Sequence, residues 1–344
     1  MSLGFLSAVS ASVGLFVLTW LLSIRLKNVS IMDCIWGLSF VVISWAAFSQ
    51  LAEYSTTQLV LLAIVSIWGL RLSLYLIKRA WGKEEDYRYQ SIRAKYDPGF
   101  WWKSLGIVFA FQFVLSLLIS SPLIYVFLQG KQEAHPIFLA FAVLLWAIGF
   151  YFEVVGDWQL TQFKNNPQNK GKVLDTGVWH LTRHPNYFGD GLQWCAFYLV
   201  AAGIGGFWTI YSPVMMVYFL RRVTGADLLE KKLVKSKPGF EEYMRTTPAF
   251  IPDLRKLWRP KAQNISDNDA FVSLVQLCRE DEDLQRWVMA LIRMDDFDRQ
   301  SMLHSKINEL RLKQVPEEHI HIFECQSRRE ILAKIQDVLS ETEN

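Results

Sequence analysis

Between Val173 and Asp190 the chain reads VLDTGVWHLTRHPNYFGD, and His180, Arg183, His184, Asn186, Tyr187 and Asp190 crowd into eleven residues of it. The flanking segments are apolar enough to lie in a membrane, where ionisable groups are costly unless they bind something. Pro185 bars regular helix hydrogen bonding and biases His184 toward an extended backbone. Gly177 and Gly189 let the backbone approach a ligand. The pattern predicts a ligand-binding loop that opens a helix. On its approach Glu153 and Asp157 stand four apart and share a helical face, followed by Gln162, Lys164 and Lys172. Lys164, Lys172, Arg183 and His184 are cations able to hold phosphate or carboxylate groups, and the Tyr187 ring suits a ribose or adenine. His180 and His184 have the spacing of a helical metal pair, but Pro185 interrupts the helix and the sequence offers no obvious third ligand, so no metal is expected.

Two other clusters carry polar chemistry. The stretch WGLRLSLYLIKRAWGKEEDYRY, from Trp68, puts Arg71, Tyr75 and Arg79 on one helical face. Arg71 is deep enough in an apolar run to need a partner, and Asp33 lies at a similar depth. A structural Asp33–Arg71 pair is one reading; the other turns both groups, with Tyr75, toward a cavity. Glu84 and Glu85 read as solvated charge, and Tyr87 and Tyr89 either as interfacial belt residues or as phenols for the site. The last cluster runs from Arg221 to Pro252. Arg221 and Arg222 complement a helix C-terminus and an inner lipid surface. Glu230, Glu242 and Tyr243 fall on short helices that would lie along the membrane and close over the Val173–Asp190 loop.

The elements that must position these groups follow from hydropathy. Hydrophobic residues make up 51% of the 344, with 14 Trp and 23 Phe, yet mean hydropathy is only +0.16. Two regimes explain the average: residues 1–259 read as a membrane domain and residues 260–344 as a soluble tail module. The tail carries 11 Lys and Arg against 17 Asp and Glu, the remainder 25 against 16. The basic excess therefore belongs to the membrane part and implies no nucleic-acid partner. Apolar runs predict about seven transmembrane helices: Leu3–Ile24, Ile31–Leu51, Thr57–Ile77, Ser104–Leu128, Pro136–Gly156, Tyr187–Ala202 and Phe207–Leu220. The first is too long for a cleaved signal peptide. Lys and Arg concentrate in alternate loops, which predicts the N-terminus outside and the polar loops and tail in the cytoplasm. The expected fold is an all-α polytopic membrane bundle with a small, mainly helical cytosolic module, in a bacterial inner membrane or, in a eukaryote, the endoplasmic reticulum.

In the tail, Phe271, Leu274, Val275 and Cys278 recur at helical spacing, as do Leu284, Trp287, Val288 and Leu291. Ser301–Lys313 and Arg328–Leu339 are further helix candidates, and Ile320–Phe323 a short strand candidate. The apolar stripes suit an internal core or a protein-docking face. The four cysteines show no CxxC spacing, which argues against a zinc site or disulfide framework.

RHPNYFGD, followed by LLEKKL and KPGFEEYMRTTPAFIP, resembles the C-terminal region of steroid 5-alpha-reductase-like membrane enzymes, and most closely their mostly bacterial branch. MDCIWG, WGLRLSLYL and GKEEDYRY upstream are similar to the same branch, so the resemblance runs from about Asn28 to Lys256. Sterol Δ14-reductases and isoprenylcysteine carboxyl methyltransferases carry related Arg-His-Pro-x-Tyr motifs, the former with NADPH and the latter with S-adenosylmethionine. The resemblance implies NADPH lodged between the last helices and open to the cytoplasm. By motif position Asp157, Lys164, Asn186 and Arg221 or Arg222 fall where the reductases contact it, Arg183, His184 and Tyr187 in the shared loop, and Asp190 at an acidic position. Lys172, His180, Glu230 and Tyr243 complete the candidate cofactor set. Trp68 stands where steroid 5-alpha-reductases use a Tyr on the substrate carbonyl, and Glu153 where they carry an Asn. The candidate acids for reduction are then Tyr75, Tyr89 and Asp33, with Arg71 orienting them. The expectation is NADPH-dependent reduction of an activated C=C bond in a lipophilic, steroid- or isoprenoid-like enone. The alternatives are S-adenosylmethionine-dependent methylation of a lipophilic acceptor, and a non-catalytic lipid-binding scaffold whose acidic tail recruits a protein partner.

Overall fold

In the computed structural model, residues 2–223, 230, 233–257 and 282–312 are described, and no strand occurs among them. The chain divides into two compact units, Met1–Leu254 and Arg255–Asn344. The first unit is a helical membrane bundle. Its elements are α1 (Leu3–Leu26), α2 (Ile31–Cys34), α3 (Trp36–Phe48), α4 (Thr56–Ala80), α5 (Tyr87–Tyr96), α6 (Phe100–Ser104), α7 (Phe111–Ile119), α8 (Ser121–Leu128), α9 (Pro136–Asn165), α10 (Val178–Leu181), α11 (Pro185–Ala202), α12 (Tyr211–Tyr218) and α13 (Phe240–Thr246).

Four helical stretches are long and apolar enough to cross a membrane: Leu3–Leu26, Thr56–Ala80, Phe100–Ile119 and Pro136–Asn165. The other three expected spans are also helical, but shorter or broken. Ile35 separates α2 from α3, and the last run is a 3-10 turn, α12 and a π-turn in succession. Helix α11 is 18 residues long and carries Asn186, Asp190 and Gln193, polar side chains that dilute its hydropathy.

Helix ends are set by local chemistry. Ser55 and Gln58 form a reciprocal capping box at α4. The Glu133 carboxylate adds to it, accepting from the Thr56 and Thr57 backbone N–H groups at 2.8 and 3.1 Å, where the helix dipole favours a negative charge. Helix α11 begins with Pro185 at its first position, and His184 before it sits at φ −135°, outside the helical region as the following proline requires.

Helices pack through small residues, as expected where lipid competes equally for apolar side chains. A Cβ on Gly37 would lie 2.6 Å from the Gly69 carbonyl, so α3 and α4 cross in backbone contact there. Helices α9 and α11 do the same at Gly149 and Gly189. Beside these crossings lies an aromatic core. Trp68 is fully buried, 5.7 Å from both Trp194 and Phe197 by ring centroid, and Phe40 stands 4.7 Å from Trp194.

In the second unit the helix expected around Leu284–Leu291 is Glu282–Arg293, and that expected over Ser301–Lys313 is Asp296–Leu312. Among its described residues Val288, Leu291, Leu303 and Ile307 are buried hydrophobic side chains. The helix candidates at Phe271–Cys278 and Arg328–Leu339, and the strand candidate Ile320–Phe323, lie outside the described residues.

Candidate functional site

The close crossing of α9 and α11 brings Glu153 and Asp157 against Asn186, Asp190 and Gln193, and α4 delivers Arg71 to the same place. The Arg71 guanidinium bridges the two acids, Nη1 to Glu153 Oε1 at 2.8 Å and Nη2 to Asp157 Oδ2 at 2.6 Å. Asn186 Nδ2 donates to Asp157 Oδ1 at 3.1 Å, and Gln193 Nε2 to Glu153 Oε2 at 2.6 Å. Glu153 and Asp157 are 2% and 3% exposed. Buried carboxylates at this depth need a hydrogen-bonded counter-charge, and Arg71 supplies it. Tyr75, one turn along α4, lies beneath two guanidinium groups, 5.2 Å from Arg71 and 5.8 Å from Arg79.

Arg71 is therefore not the partner of Asp33. One helical turn on α9 spaces Glu153 and Asp157 to match the forked guanidinium, and a packed helix crossing outcompetes a pair set by depth alone. Asp33 instead accepts from Arg88 Nη2 at 2.7 Å and from the Tyr89 hydroxyl at 2.6 Å. Burial, and then the Asp33 charge, push the Tyr89 phenol well above its ordinary range, so it stays a hydrogen-bond donor. Glu85 is not a solvated charge either. Its carboxylate takes the Val29 backbone N–H at 2.7 Å and the Arg93 guanidinium at 2.8 Å. Together these bonds fasten α5 to the α1–α2 turn. Of the four candidate catalytic residues, Arg71 and Tyr75 thus belong to the α4–α9–α11 network, and Asp33 and Tyr89 to the clamp on α5.

The Arg-His-Pro loop is organised inward. Arg183 is not a cation free to hold phosphate: its Nε and Nη2 bind Glu230 at 2.8 and 3.2 Å, and Nη1 donates to the Met244 and Thr247 carbonyls at 2.8 and 2.7 Å. Arg183 N also donates to the Pro248 carbonyl and Thr182 Oγ1 to Phe250 O, which lays the segment after α13 along the loop. His184 Nε2 lies 2.8 Å from Glu230 Oε1, and its ring stacks on Tyr187 at 5.4 Å and 8°. The Tyr243 hydroxyl donates to the Trp179 carbonyl; burial, and then the Asp175 charge, raise its phenol above the ordinary range.

Lys164 and Lys172 are exposed, and Lys172 is tethered through its carbonyl, which accepts from Lys237 Nζ. Arg79, Lys237 and Lys83 lie near enough to act electrostatically on Lys164, so the rim is basic. Arg221 is exposed with its guanidinium 5.8 Å from the Phe250 ring. His180 is half-buried on α10. The Arg222 side chain lies outside the described residues. Glu153 and Gln193 are absent from the candidate set, though both belong to the network. An acid inside an apolar run, four before Asp157, was the available signal for Glu153; Gln193 has one only in its three-residue spacing from Asp190. Among the described residues Cys34 and Cys195 are free.

The Glu230 contacts carry a pH dependence. Burial alone would raise this carboxyl, but hydrogen bonds from His184 and Arg183, and the Arg183 charge, outweigh it and hold Glu230 below the usual range. A depressed folded value means that the stabilisation is complete above the ordinary glutamate pKa of about 4.3 and is lost as pH falls through the lower folded one. Thermal unfolding in detergent should therefore show the wild type losing stability below about pH 4.3 more steeply than Glu230→Gln. The variant should also start roughly 1.5–3 kcal/mol less stable at pH 7, the value of charge-assisted hydrogen bonds. Parallel pH profiles would refute the assignment.

A family model described as "Protein of unknown function (DUF1295)" matches residues 19–247. The chain is similar to the "Probable O-methyltransferase ustE" of Ustilaginoidea virens, 32% identical over 123 residues, covering 36% of this chain and 38% of that protein. It is similar to the Delta(14)-sterol reductase LBR of Gallus gallus, 27% identical over 160 residues, covering 41% and 24%. It is similar to the 3-oxo-5-alpha-steroid 4-dehydrogenase 1 of Mus musculus, 26% identical over 120 residues, covering 35% and 44%. The chain thus spans less than half the length of each of these relatives. No solved structure matches it.

Proposed function

The chain belongs to the DUF1295 family, the steroid 5-alpha-reductase-like family, and from that membership we propose that it is a membrane-embedded NADPH-dependent reductase of an activated C=C bond in a lipophilic enone. The observation that carries the reading is the Arg71–Glu153–Asp157–Asn186 network, a buried polar centre joining three helices beneath a basic rim. The names of two relatives, a sterol reductase and a 3-oxo-steroid 4-dehydrogenase, support the same chemistry and a lipophilic substrate.

The residues present fit such a cofactor. Gln193 Oε1 is a buried acceptor with no hydrogen-bond partner, and the rim cations suit phosphates. In this reading Lys164, Lys172 and Arg221 hold the phosphates, while Asp157, Asn186 and Asp190 meet the polar end that enters the bundle. NADPH, when bound, supplies the hydride that adds to the β-carbon. Tyr75 donates a hydrogen bond to the substrate carbonyl as negative charge develops there. Arg71 holds Glu153 and Asp157 in place. Arg183, His184, Glu230 and Tyr243 act at one remove, by fixing the loop that opens α11. The polar loops face the cytoplasm, where the cofactor is available, in agreement with the Lys and Arg asymmetry.

Purified protein in detergent should shift or quench NADPH fluorescence. Asn186→Ala combined with Lys164→Ala should weaken this at least about tenfold, the value of one lost charge-assisted contact, without lowering thermal stability to match. Undiminished binding in the double variant would remove both residues from the site. The O-methyltransferase relative keeps a second reading in view, S-adenosylmethionine-dependent methylation of a lipophilic acceptor, because an adenosine-containing cofactor would meet the same loop. Preference for S-adenosylmethionine over NADPH in calorimetry would select it.

A further inference from the structure

Where α1 ends and α6 begins, exposed aromatic and basic side chains gather that the network around Arg71 does not use. Trp20 Nε1 on α1 donates to the Trp101 carbonyl at 3.0 Å, which fixes the first turn of α6 against the last turns of α1. The Lys27 carbonyl, just past α1, lies 3.5 Å from Arg93 Nη2, and the Arg93 guanidinium stands 4.7 Å from the Phe100 ring. Lys103 folds back on the same elbow. Its Nζ donates to the Tyr96 and Pro98 carbonyls at 3.0 and 2.9 Å and lies 5.8 Å from the Trp102 ring. The last turn of α1 adds Arg25.

Charge at this elbow is unbalanced. Residues 1–32 contain no Asp or Glu, and residues 87–103 contain one, Asp97. The neighbouring acids are taken: Asp33 and Asp86 bind Arg88, and Glu85 binds Arg93. Asp97 caps α6, accepting from the Phe100 backbone N–H at 3.2 Å. Among the described residues no carboxylate pairs with Arg25, Lys27 or Lys103. The helix dipole accounts for Arg25 in the last turn of α1, but it disfavours Lys103 in the first turn of the Phe100–Ile119 stretch. Beside these cations Trp101 and Trp102 are 59% and 54% exposed, and Leu22 and Leu26 48% and 54%. Indoles so exposed at the start of a span sit at the level of lipid headgroups, where a phosphodiester anion would meet the cations.

We propose that this elbow binds the headgroup of an anionic phospholipid. Arg25, Lys27 and Lys103 surround the phosphate, Trp101 and Trp102 lie at the glycerol level, and the acyl chains run along Leu22 and Leu26. The lipid thereby completes the seam between α1 and α6. A zwitterionic lipid would meet the same indoles, but its own cation would leave the basic side chains unmatched. By the Lys and Arg asymmetry this end is expected on the cytoplasmic side, where the leaflet surface is negative.

The test uses the full chain reconstituted in phosphatidylcholine vesicles doped with brominated phosphatidylglycerol or brominated phosphatidylcholine. The readout is the tryptophan quenching that disappears when Trp101→Phe and Trp102→Phe are combined, followed against the brominated fraction. The wild type should take up phosphatidylglycerol in preference to phosphatidylcholine, and the preference should fall as salt is raised. Arg25→Gln, Lys27→Gln and Lys103→Gln should each lower it roughly fivefold, the attraction of one basic residue to an anionic surface. Lys131→Gln removes an equal charge beside Glu53, 3.4 Å away at the other end of α1, and should leave the preference unchanged. Equal uptake of the two lipids, or basic variants that behave like Lys131→Gln, would overturn the site. Displacement by soluble glycerol phosphate would show a ligand drawn from solution and overturn the lipid assignment. Arg25 and Lys27 make no side-chain hydrogen bond or ion pair among the described residues, so their variants decide the matter even where Lys103→Gln fails to fold.

Discussion

Gly189→Ala should destabilise the bundle by about 3 kcal/mol or more, the upper end of overpacking costs, and abolish cofactor binding. The added Cβ would meet the Gly149 carbonyl, the Glu153 backbone N at 2.6 Å and the Glu153 Cβ at 3.0 Å. Two of the three are backbone atoms, so no side chain can rotate away and α9 must separate from α11. That crossing is what places Glu153 and Asp157 against Asn186, Asp190 and Gln193, so stability and site should fail together. Gly14 provides the contrast. It lies on α1, and a Cβ there meets nothing within 4 Å. Gly14→Ala should be neutral or stabilising by roughly 0.5–1 kcal/mol, the helical preference of alanine over glycine. Thermal unfolding of both variants in one detergent makes the comparison, and equal behaviour would show that the α9–α11 contact does not hold the fold.

Removing the positive charge from the centre is the other large effect. Arg71→Met keeps an apolar stem of similar length but leaves Glu153 and Asp157 buried without their counter-ion, a loss of about 3–5 kcal/mol for a broken buried pair. Arg71→Lys should not restore it, because one ammonium cannot reproduce a fork that donates to two carboxylates 2.8 and 2.6 Å away. Neutralising the acids should help: Arg71→Met with Glu153→Gln and Asp157→Asn is expected to regain most of the lost stability, though not cofactor binding. A single Arg71→Met variant as stable as wild type would mean that the acids do not rely on this guanidinium. A triple variant no better than the single one would mean that Arg71 acts through packing.

Several residues of the buried network were legible in the sequence; their partners were not. Ionisable side chains inside or beside apolar runs identify themselves by their cost, which is why Asp33, Arg71, Asp157 and Asp190 could be picked out. Depth along a span, however, is a one-dimensional coordinate. Asp33 and Arg71 agree in depth, yet Arg71 pairs with Glu153 and Asp157 while Asp33 pairs with Arg88 and Tyr89, because azimuth around the bundle decides contact. Arg183 looked like a phosphate ligand by charge and neighbourhood. Four of its N–H groups are engaged by Glu230, Met244 and Thr247, residues 47 to 64 positions away.

What the sequence determined by itself was local or compositional. Apolar length specified the helical segments, Pro185 the start of α11, Ser55 and Gln58 the start of α4, and the motif from Arg183 to Asp190 the family. Each depends on backbone sterics, capping or transfer to lipid, which a few neighbouring residues settle. The tertiary structure alone decided which helices touch, and through Gly149 and Gly189 it decided that α9 and α11 touch at the backbone. From that contact follows the buried network around Arg71, and the division of the Val173–Asp190 stretch into an inward latch at Arg183 and His184 and a start of α11 that joins this network at Asn186. Such choices depend on interactions between distant segments, whose register no local preference can encode.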